Sequence, residues 1–226
     1  MRTFAVSDRL RNCWPGAVAA CLVVDAVSNP AESPALNERL AEIEGDLRER
    51  FGGRDRAALR ALSPFDAYDR YYKRFGQNYH VLHQVESVAL KGKAIPRRAA
   101  LVEAAFAEEL RSGLLTAMHD ADVIGSEILT DAAMGSELVA LYNGKEVTLD
   151  ADDMFMRDEH GILTSVIRGP AAYGLVAPDT TSVAVCVYAP PSIGADAVTQ
   201  HLEAIAANMR LVAPSAEIGF LEVIEA

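Results

Sequence analysis

Six basic side chains near the middle of the chain are of the type that contacts nucleic-acid phosphates. They are Lys73, Arg74, Lys91, Lys93, Arg97 and Arg98. Residues 65–75, which end in the first two, also contain Tyr68, Tyr71 and Tyr72. Positive charge beside aromatic faces suits single-stranded or looped RNA. The alternative, which composition by itself favours, is a set of solvated helix ends with tyrosines in an amphipathic core.

Other motifs with catalytic or binding potential are incomplete. Residues 169–174 have the glycine spacing of a phosphate loop, but Leu175 and Val176 stand where Lys and Ser or Thr would bind phosphate and magnesium. The sequence contains no Gly-x-Ser-x-Gly nucleophile elbow and no recognisable Ser, His and Asp set. Cys186 lies inside an apolar run, which indicates a core thiol rather than a reactive one.

Two short segments have some character of metal sites. His80 and His83 would lie one helical turn apart, yet the Glu and the histidine spacing of a zincin helix are absent. Residues 150–153 are acidic but lack the central Gly and terminal Glu of a calcium loop. We therefore predict no metal and no cofactor.

The first half of the chain has helical periodicity. Ser33 and Pro34 form a helix start, and residues 36–47 place Leu or Ile at steps of four, three and four. A second helix is predicted from residue 63, a third around residues 82–89, and a fourth with Val102, Phe106 and Leu110 on its apolar face.

The second half has the period of β-strands. Asn143 and Gly144 predict a hairpin over residues 138–149, and residues 158–161 predict a second over residues 154–167. Residues 182–188 and 217–224 read as strands, with a helix over residues 194–211 between them. Helices followed by strands predict an α+β fold, taken as one domain over residues 1–226.

Charge and cysteine content restrict the class of protein. The chain has 21 basic and 32 acidic residues, which gives a formal net charge of −11. This charge opposes nucleic-acid binding that depends on overall positive charge but permits a local basic patch. Cys13, Cys21 and Cys186 follow no disulfide or metal spacing, so we expect reduced thiols and a cytoplasmic protein.

The apolar run at residues 17–24 is too short to span a bilayer. The arginines before it loosely imitate a signal peptide. Asp8 interrupts them, however, and no clean small-x-small cleavage site follows, so we predict a buried strand and no membrane association.

From residue 72 onward the sequence resembles the B3/B4 domain of the β subunit of bacterial phenylalanyl-tRNA synthetase, in its free-standing version, while residues 1–71 are more divergent. The matching segments follow the family's order. They are residues 73–76, 92–96, 102–103, 120–125, 137–150, 158–162, 169, 179–181 and 188–191. The resemblance implies a central mixed, largely antiparallel sheet with flanking helices, association with tRNA or aminoacyl groups, and, in the synthetase, a pocket that hydrolyses mischarged tRNA.

The editing residues of that family do not carry over. Ala117 occupies the place of the family's histidine, with His119 two positions away, and Cys186 replaces a glutamate. We therefore predict no catalytic residue. The predicted RNA- or ligand-binding residues are Lys73, Arg74, Lys91, Lys93, Arg97, Arg98, His160, Arg168 and Gly169.

Three functions follow from these observations. The first is a free-standing tRNA-binding protein without intact editing chemistry. The second is a trans-acting aminoacyl-tRNA deacylase, and the third is a binding protein for a small amino-acid-like ligand.

Overall fold

A computed structural model describes residues 2–226 as seven helices and eleven strands. The helices are α1 (Asp8–Cys13), α2 (Pro34–Phe51), α3 (Arg56–Arg60), α4 (Phe65–Arg74), α5 (His80–Ala89), α6 (Ala100–Ser112) and α7 (Ala195–Val212). The strands are β1 (Thr3–Val6), β2 (Val18–Asp25), β3 (Thr116–Asp120), β4 (Glu127–Ala132), β5 (Leu138–Ala140), β6 (Glu146–Thr148), β7 (Met154–Arg157), β8 (Ile162–Ser165), β9 (Gly169–Pro170), β10 (Ser182–Ala189) and β11 (Glu217–Glu225).

A four-stranded antiparallel sheet lies at the centre of the molecule, in the order β11-β2-β10-β3. Its inner strands β2 and β10 are almost completely buried, which explains their continuous Val-rich and Ala-rich sequences. The strand predicted over residues 17–24 is therefore confirmed. Helix α7 packs on this sheet and against α6, and the four apolar residues predicted for its inner face, Val198, Leu202, Ile205 and Met209, are all fully buried.

A second sheet has the order β1-β4-β7-β8-β9. Strands β1 and β4 pair in parallel, and the remaining pairs are antiparallel. Strands β5 and β6 form a separate two-stranded sheet, connected to β9 by a bridge between Leu141 and Ala171. The α+β prediction with mixed, mainly antiparallel pairing is confirmed, and the strands are distributed over two larger sheets and a hairpin.

The β5–β6 hairpin forms where it was predicted, with a different turn. The Leu141 amide donates to the Lys145 carbonyl at 2.8 Å, and the Gly144 amide donates to the Leu141 carbonyl at 2.8 Å. Gly144 has φ +79°, whereas Asn143 does not have positive φ. The connection is thus a type I turn followed by a left-handed glycine, the usual three-residue hairpin loop, rather than a two-residue turn.

Local sequence explains the limits of the long second helix. The Ser33 hydroxyl accepts from the Leu36 amide, Pro34 occupies the first turn, and Gly52 follows the last residue, as N-caps and helix ends require. The apolar face predicted over residues 36–47 is buried. This helix packs against α5, α6 and α7.

The tyrosines of α4 belong to the core. Tyr68, Tyr71 and Tyr72 are at most 3% exposed, and Tyr68 stacks on Tyr79 with ring centroids 4.4 Å apart. These rings are covered by protein, so they offer no stacking face to RNA. The amphipathic-core interpretation of the tyrosines is confirmed.

The apolar face predicted for α6 is only partly correct. Leu110 is buried, but Val102 is 40% exposed and Phe106 is half-buried. The side of α6 that enters the core contains Leu101, Ala104 and the acidic Glu108. The Val102 and Phe106 stripe instead faces an open cavity, so the spacing identified an apolar surface but not what that surface contacts.

No helix within residues 2–226 combines the length and hydropathy that a bilayer crossing needs. The three cysteines are free thiols. Cys21 and Cys186 face each other across β2 and β10, a proximity that their sequence separation does not reveal. Their mutual hydrogen bond and their burial raise the pKa of the Cys186 thiol well above its usual value.

Candidate ligand-binding site

A cavity of about 440 Å³ opens between α6, the edge strand β3 and the end of β8. That volume is in the range of small-molecule sites. Most lining residues are apolar or aromatic, and a few polar groups converge among them. The lining consists of His80, Val102, Ala105, Phe106, Glu109, Leu115, Thr116, Ala117, Met118, Tyr142, Thr164, Ser165, Val166, Gly169, Pro170, Leu175, Val176 and Tyr188.

Helix α6 and the segments around β9 form the mouth of the cavity. Val102 and Leu175 are about two-fifths exposed, and Tyr142 at the hairpin turn is 62% exposed. Large apolar side chains that stay partly open to solvent around a concave surface are typical of a binding site. The exposure of Val102 and Phe106 on α6 thus follows from their position on the cavity wall.

Glu109 is the acidic group of the cavity. Its side chain is 6% exposed, and Oε2 accepts from the Thr116 amide at 2.8 Å. Within residues 2–226 this is its single hydrogen bond. Burial raises the pKa of Glu109 to about 8, partly offset by the Thr116 amide. At neutral pH the carboxyl group of Glu109 is therefore mostly protonated.

Tyr188 is the second incompletely bonded polar group of the lining. The residue is 1% exposed, and its hydroxyl lies beside the Thr164 side chain but makes no hydrogen bond of regular geometry within residues 2–226. Its backbone carbonyl, by contrast, accepts from the Tyr68 hydroxyl at 2.7 Å. A buried hydroxyl without a partner is energetically costly, so the cavity contains a donor and acceptor that a ligand could satisfy.

Ser165 is one of three cavity residues with an aliphatic hydroxyl, beside Thr116 and Thr164, and structural hydrogen bonds occupy it. Its hydroxyl donates to Asp153 Oδ2 and accepts from the Arg168 amide at 2.9 Å. Asp153 also accepts from the Tyr71 hydroxyl at 2.6 Å and from the Ile167 amide at 3.2 Å. Burial raises the pKa of Asp153 to about 6 despite these donors. The cluster fastens α4 to β7 and β8.

A nucleophile of the serine-hydrolase type also needs an imidazole base in contact with it. Among residues 2–226, no histidine hydrogen-bonds Ser165. His119 is fully buried and outside the cavity lining, and burial lowers its pKa to about 4. His80 lies at the cavity, but its ring contacts Tyr72 at 3.4 Å. The Thr116 hydroxyl, which also lines the cavity, does contact an imidazole, His201 Nε2 at 2.8 Å, but burial lowers the pKa of His201 to about 3, which makes it a weak base.

The predicted basic residues lie outside the cavity, and four of the six form ion pairs. Lys73 lies 3.6 Å from Asp69, Arg74 2.9 Å from Asp152, Lys91 3.0 Å from Glu86, and Arg97 3.0 Å from Glu44. Arg74 also stacks over the Trp14 ring. Lys93 and Arg98 are exposed, and their side chains make no ion pair with any of residues 2–226.

The three remaining predicted residues occupy different places. Gly169 lines the cavity with φ +84°. Arg168 forms a bidentate ion pair with Asp150, in which Nε lies 2.9 Å from Oδ2 and Nη2 lies 3.0 Å from Oδ1. His160 is exposed in the β7–β8 turn and lies edge-on to Tyr173. The structure thus brings Gly169 to the cavity and leaves Arg168 and His160 outside its lining.

Comparison with known proteins adds one fold relationship. No protein-family model matches the chain, and no curated protein matches its sequence. Among solved structures, the chain is similar to an N-terminal fragment of the phenylalanyl-tRNA synthetase β subunit from Pyrococcus horikoshii, with a TM-score of 0.51 and 13% identity. The match covers 99% of this chain and 54% of that one, so the chain spans about half the length of its relative.

That likeness is one of fold and agrees with the resemblance found in the sequence at the level of the synthetase β subunit. The fold likeness does not by itself support the more specific assignment to the B3/B4 domain.

Sequence reasoning missed the polar groups that define the cavity. Glu109 follows another glutamate on an amphipathic helix, and glutamates in such a pair are usually exposed to solvent. Tyr188 lies near the end of a buried strand, where a tyrosine usually belongs to the core, and among the functional signals only the family resemblance includes it. The available signal was the Val102 and Phe106 spacing, since Glu109 comes three positions after Phe106 and shares its side of the helix.

Proposed function

We propose that this chain is a B3/B4-like tRNA-binding protein whose cavity holds the aminoacyl group at the end of a charged tRNA, without efficient hydrolysis. The observation that supports it best is the apolar cavity itself, which is open at the surface and large enough for an amino-acid side chain. The fold likeness to the synthetase β-subunit fragment supports a link with tRNA. The free thiols are compatible with the cytoplasm, where tRNA functions.

Phosphate contacts fall to the basic side chains that the protein does not already neutralise. Lys93 and Arg98 are exposed in the loop between α5 and α6. Lys91 and Arg97 nearby are tied to Glu86 and Glu44, so binding through them would require an exchange of partners. The basic patch is therefore narrower than the six residues suggested by the sequence.

The test is the salt dependence of tRNA binding. Binding of charged and uncharged tRNA for phenylalanine is measured by fluorescence anisotropy across a range of salt concentrations. The double variant Lys93→Ala and Arg98→Ala should weaken binding and reduce the slope of log K against log salt by about two units. Lys145→Ala, on the exposed hairpin turn, is the control. Equal affinity for charged and uncharged tRNA, or no binding, contradicts the proposal.

Hydrolysis has its own assay. Ser165 has no imidazole partner within residues 2–226, and burial lowers the pKa of His201, the imidazole that contacts Thr116, to about 3. Because neither hydroxyl has an effective base, deacylation of tyrosine-charged tRNA for phenylalanine should not exceed the spontaneous rate. Turnover that disappears in His119→Ala or Arg168→Ala would instead establish the deacylase function, with a catalytic group that residue matching did not find.

One observation favours the small-ligand alternative. The chain has a net charge of −11, and most of its predicted RNA-binding residues are ion-paired. In that case the cavity would bind a free amino-acid-like molecule, and tRNA would bind weakly with a shallow salt slope.

A further inference from the structure

Glu109 and Tyr188 place two incompletely bonded polar groups in an otherwise apolar cavity. We propose that the cavity selects ligands that carry a primary ammonium group on an aromatic or apolar body, with the ammonium paired to Glu109. The inference rests on the cavity used in the proposed function, and it requires no RNA.

The hydrogen-bonding capacity of the two groups suits an ammonium. Glu109 accepts one bond, from the Thr116 amide, and its other oxygen has no partner within residues 2–226. The hydroxyl of Tyr188 makes no hydrogen bond of regular geometry there, although the Thr164 side chain lies beside it. A primary ammonium has three donors and no acceptor, so it matches two oxygen acceptors better than a ligand carboxylate does.

Charge points in the same direction. No lysine or arginine is among the cavity-lining residues, and the chain carries a net charge of −11. Ionised Glu109 would have no counter-charge in the empty cavity, and an ammonium ligand would supply one. A ligand carboxylate would find no cationic side chain in the lining, so its burial would cost free energy.

Aromatic rings complete the environment. Phe106, Tyr142 and Tyr188 line the cavity, and the faces of aromatic rings attract organic cations. Apolar residues such as Met118 and Val166 provide room for the ligand body. This combination of rings and one acid is a general solution for binding an amine.

The proposal predicts different affinities for free amino acids and for amines or aminoacyl esters that have the same side chain. A free amino acid brings an ammonium together with a carboxylate, whereas an amine or an aminoacyl ester brings the ammonium alone. The cavity should therefore prefer amines and aminoacyl esters to the corresponding free amino acids.

Binding should depend on pH through Glu109. The titratable groups around its carboxyl are Tyr68, Tyr72, Tyr79, His80 and Tyr188, and none of them is a fixed cation. Because burial holds the pKa of Glu109 near 8, an ammonium that binds at lower pH must displace a proton. Affinity for such a ligand should fall by up to about tenfold per pH unit below 8.

The experiment compares three small probes by isothermal titration calorimetry with the full chain. 2-Phenylethylamine has an aromatic body and an ammonium, 2-phenylethanol replaces the ammonium with a hydroxyl, and phenylalanine adds a carboxylate. At pH 8 we expect the amine to bind at least about tenfold more tightly than either, since a tenfold preference corresponds to one charge-assisted hydrogen bond.

Glu109→Gln should abolish the preference for the amine over the alcohol, together with its pH dependence. Glu127→Gln, which removes an exposed carboxylate on β4, should change neither. If Glu109→Gln does not fold, calorimetry of the wild-type chain in buffers of different ionisation enthalpy replaces it: the amine should release close to one proton at pH 7, and the alcohol none.

Two results overturn the inference. One is equal or tighter binding of 2-phenylethanol, with affinity that falls as pH rises, which would make protonated Glu109 a donor to a neutral ligand. The other is no binding of the amine. Either result leaves the tRNA titration to be judged separately, and amine binding without tRNA binding would remove the proposed function while retaining this inference.

Discussion

Two adjacent glutamates of α6 lie on different sides of the helix and have opposite environments. Glu108 is fully buried between Arg39 and Arg111, and Asn208 donates to it at 3.2 Å. Glu109 is nearly as buried, yet it accepts one hydrogen bond and lines the cavity. The first acid fastens α6 to its neighbours, and the second is left for a ligand. Burial alone therefore does not distinguish a structural acid from a ligand-binding acid. The two glutamates differ in how many of their carboxylate oxygens are paired with protein groups.

A large effect on stability is expected when the structural acid is removed. Glu108→Ala should lower the free energy of unfolding by about 3 kcal/mol, because it leaves Arg39, Arg111 and Asn208 without their shared acceptor. The value lies at the low end for a buried ion pair, since both arginines are about one-third exposed. Urea denaturation measures it.

Glu108→Ala should lower stability without changing ligand binding. At a temperature where the variant is folded, its affinity for 2-phenylethylamine should equal that of the wild type. A loss of affinity in the folded variant would mean that the two sides of α6 are not independent.

Two neighbouring apolar residues sharpen the comparison. Leu101→Ala removes a fully buried side chain and should cost about 2–4 kcal/mol of unfolding free energy. Val102→Ala removes one that is 40% exposed on the cavity rim and should cost less than about 0.5 kcal/mol, while weakening ligand binding. Equal losses of stability by urea denaturation would place both side chains in the core.

The pH dependence of stability tests the state of Glu109. The pKa of Glu109 is about 8 in the folded chain and 4.5 in the unfolded chain, so between these pH values the folded state binds more protons. Stability must therefore fall as pH rises, by about 1.4 kcal/mol per pH unit from this group.

Subtraction of the Glu109→Gln profile isolates that slope from three other buried groups. Asp153 contributes in the same direction below pH 6. His119 and His201 contribute in the opposite direction, from about pH 4 and about pH 3 respectively up to about 6.5. A flat difference between wild type and variant would show that Glu109 is ionised and solvated in the empty cavity.

Little change in stability is expected at Tyr188. Tyr188→Phe removes a hydroxyl that makes no hydrogen bond of regular geometry within residues 2–226, so the free energy of unfolding should change by less than about 1 kcal/mol and should not decrease. Tyr68→Phe is the matched control. Its hydroxyl donates to the Tyr188 carbonyl and accepts from the Leu115 amide, so its loss should cost about 1–3 kcal/mol by thermal denaturation.

Much of the fold was predictable because its signals are local. The Ser33 and Pro34 start of α2, the buried faces of α2 and α7, the Val-rich strands β2 and β10, and both hairpins are confirmed. The pairing of β1 with β4 was not predictable, because it joins segments more than a hundred residues apart and no local pattern records a partner. The single-domain boundary and the role of the basic residues stay predictions.

Helices α1 and α3 and strands β1, β3 and β4 were not predicted from the sequence. The amino-acid sequence by itself determined the other five helices, strands β2, β10 and β11, both hairpins and the apolar stripe of α6. It did so because capping, periodicity and turn chemistry act over a few residues. Only the tertiary structure decided that this stripe faces a cavity, that Tyr68, Tyr71 and Tyr72 are covered, that four basic residues are neutralised, and that Glu109 is left with a free oxygen. Each of these features depends on which distant parts of the chain contact a side chain. Burial and ion pairing are set by those tertiary contacts and not by the residue type alone.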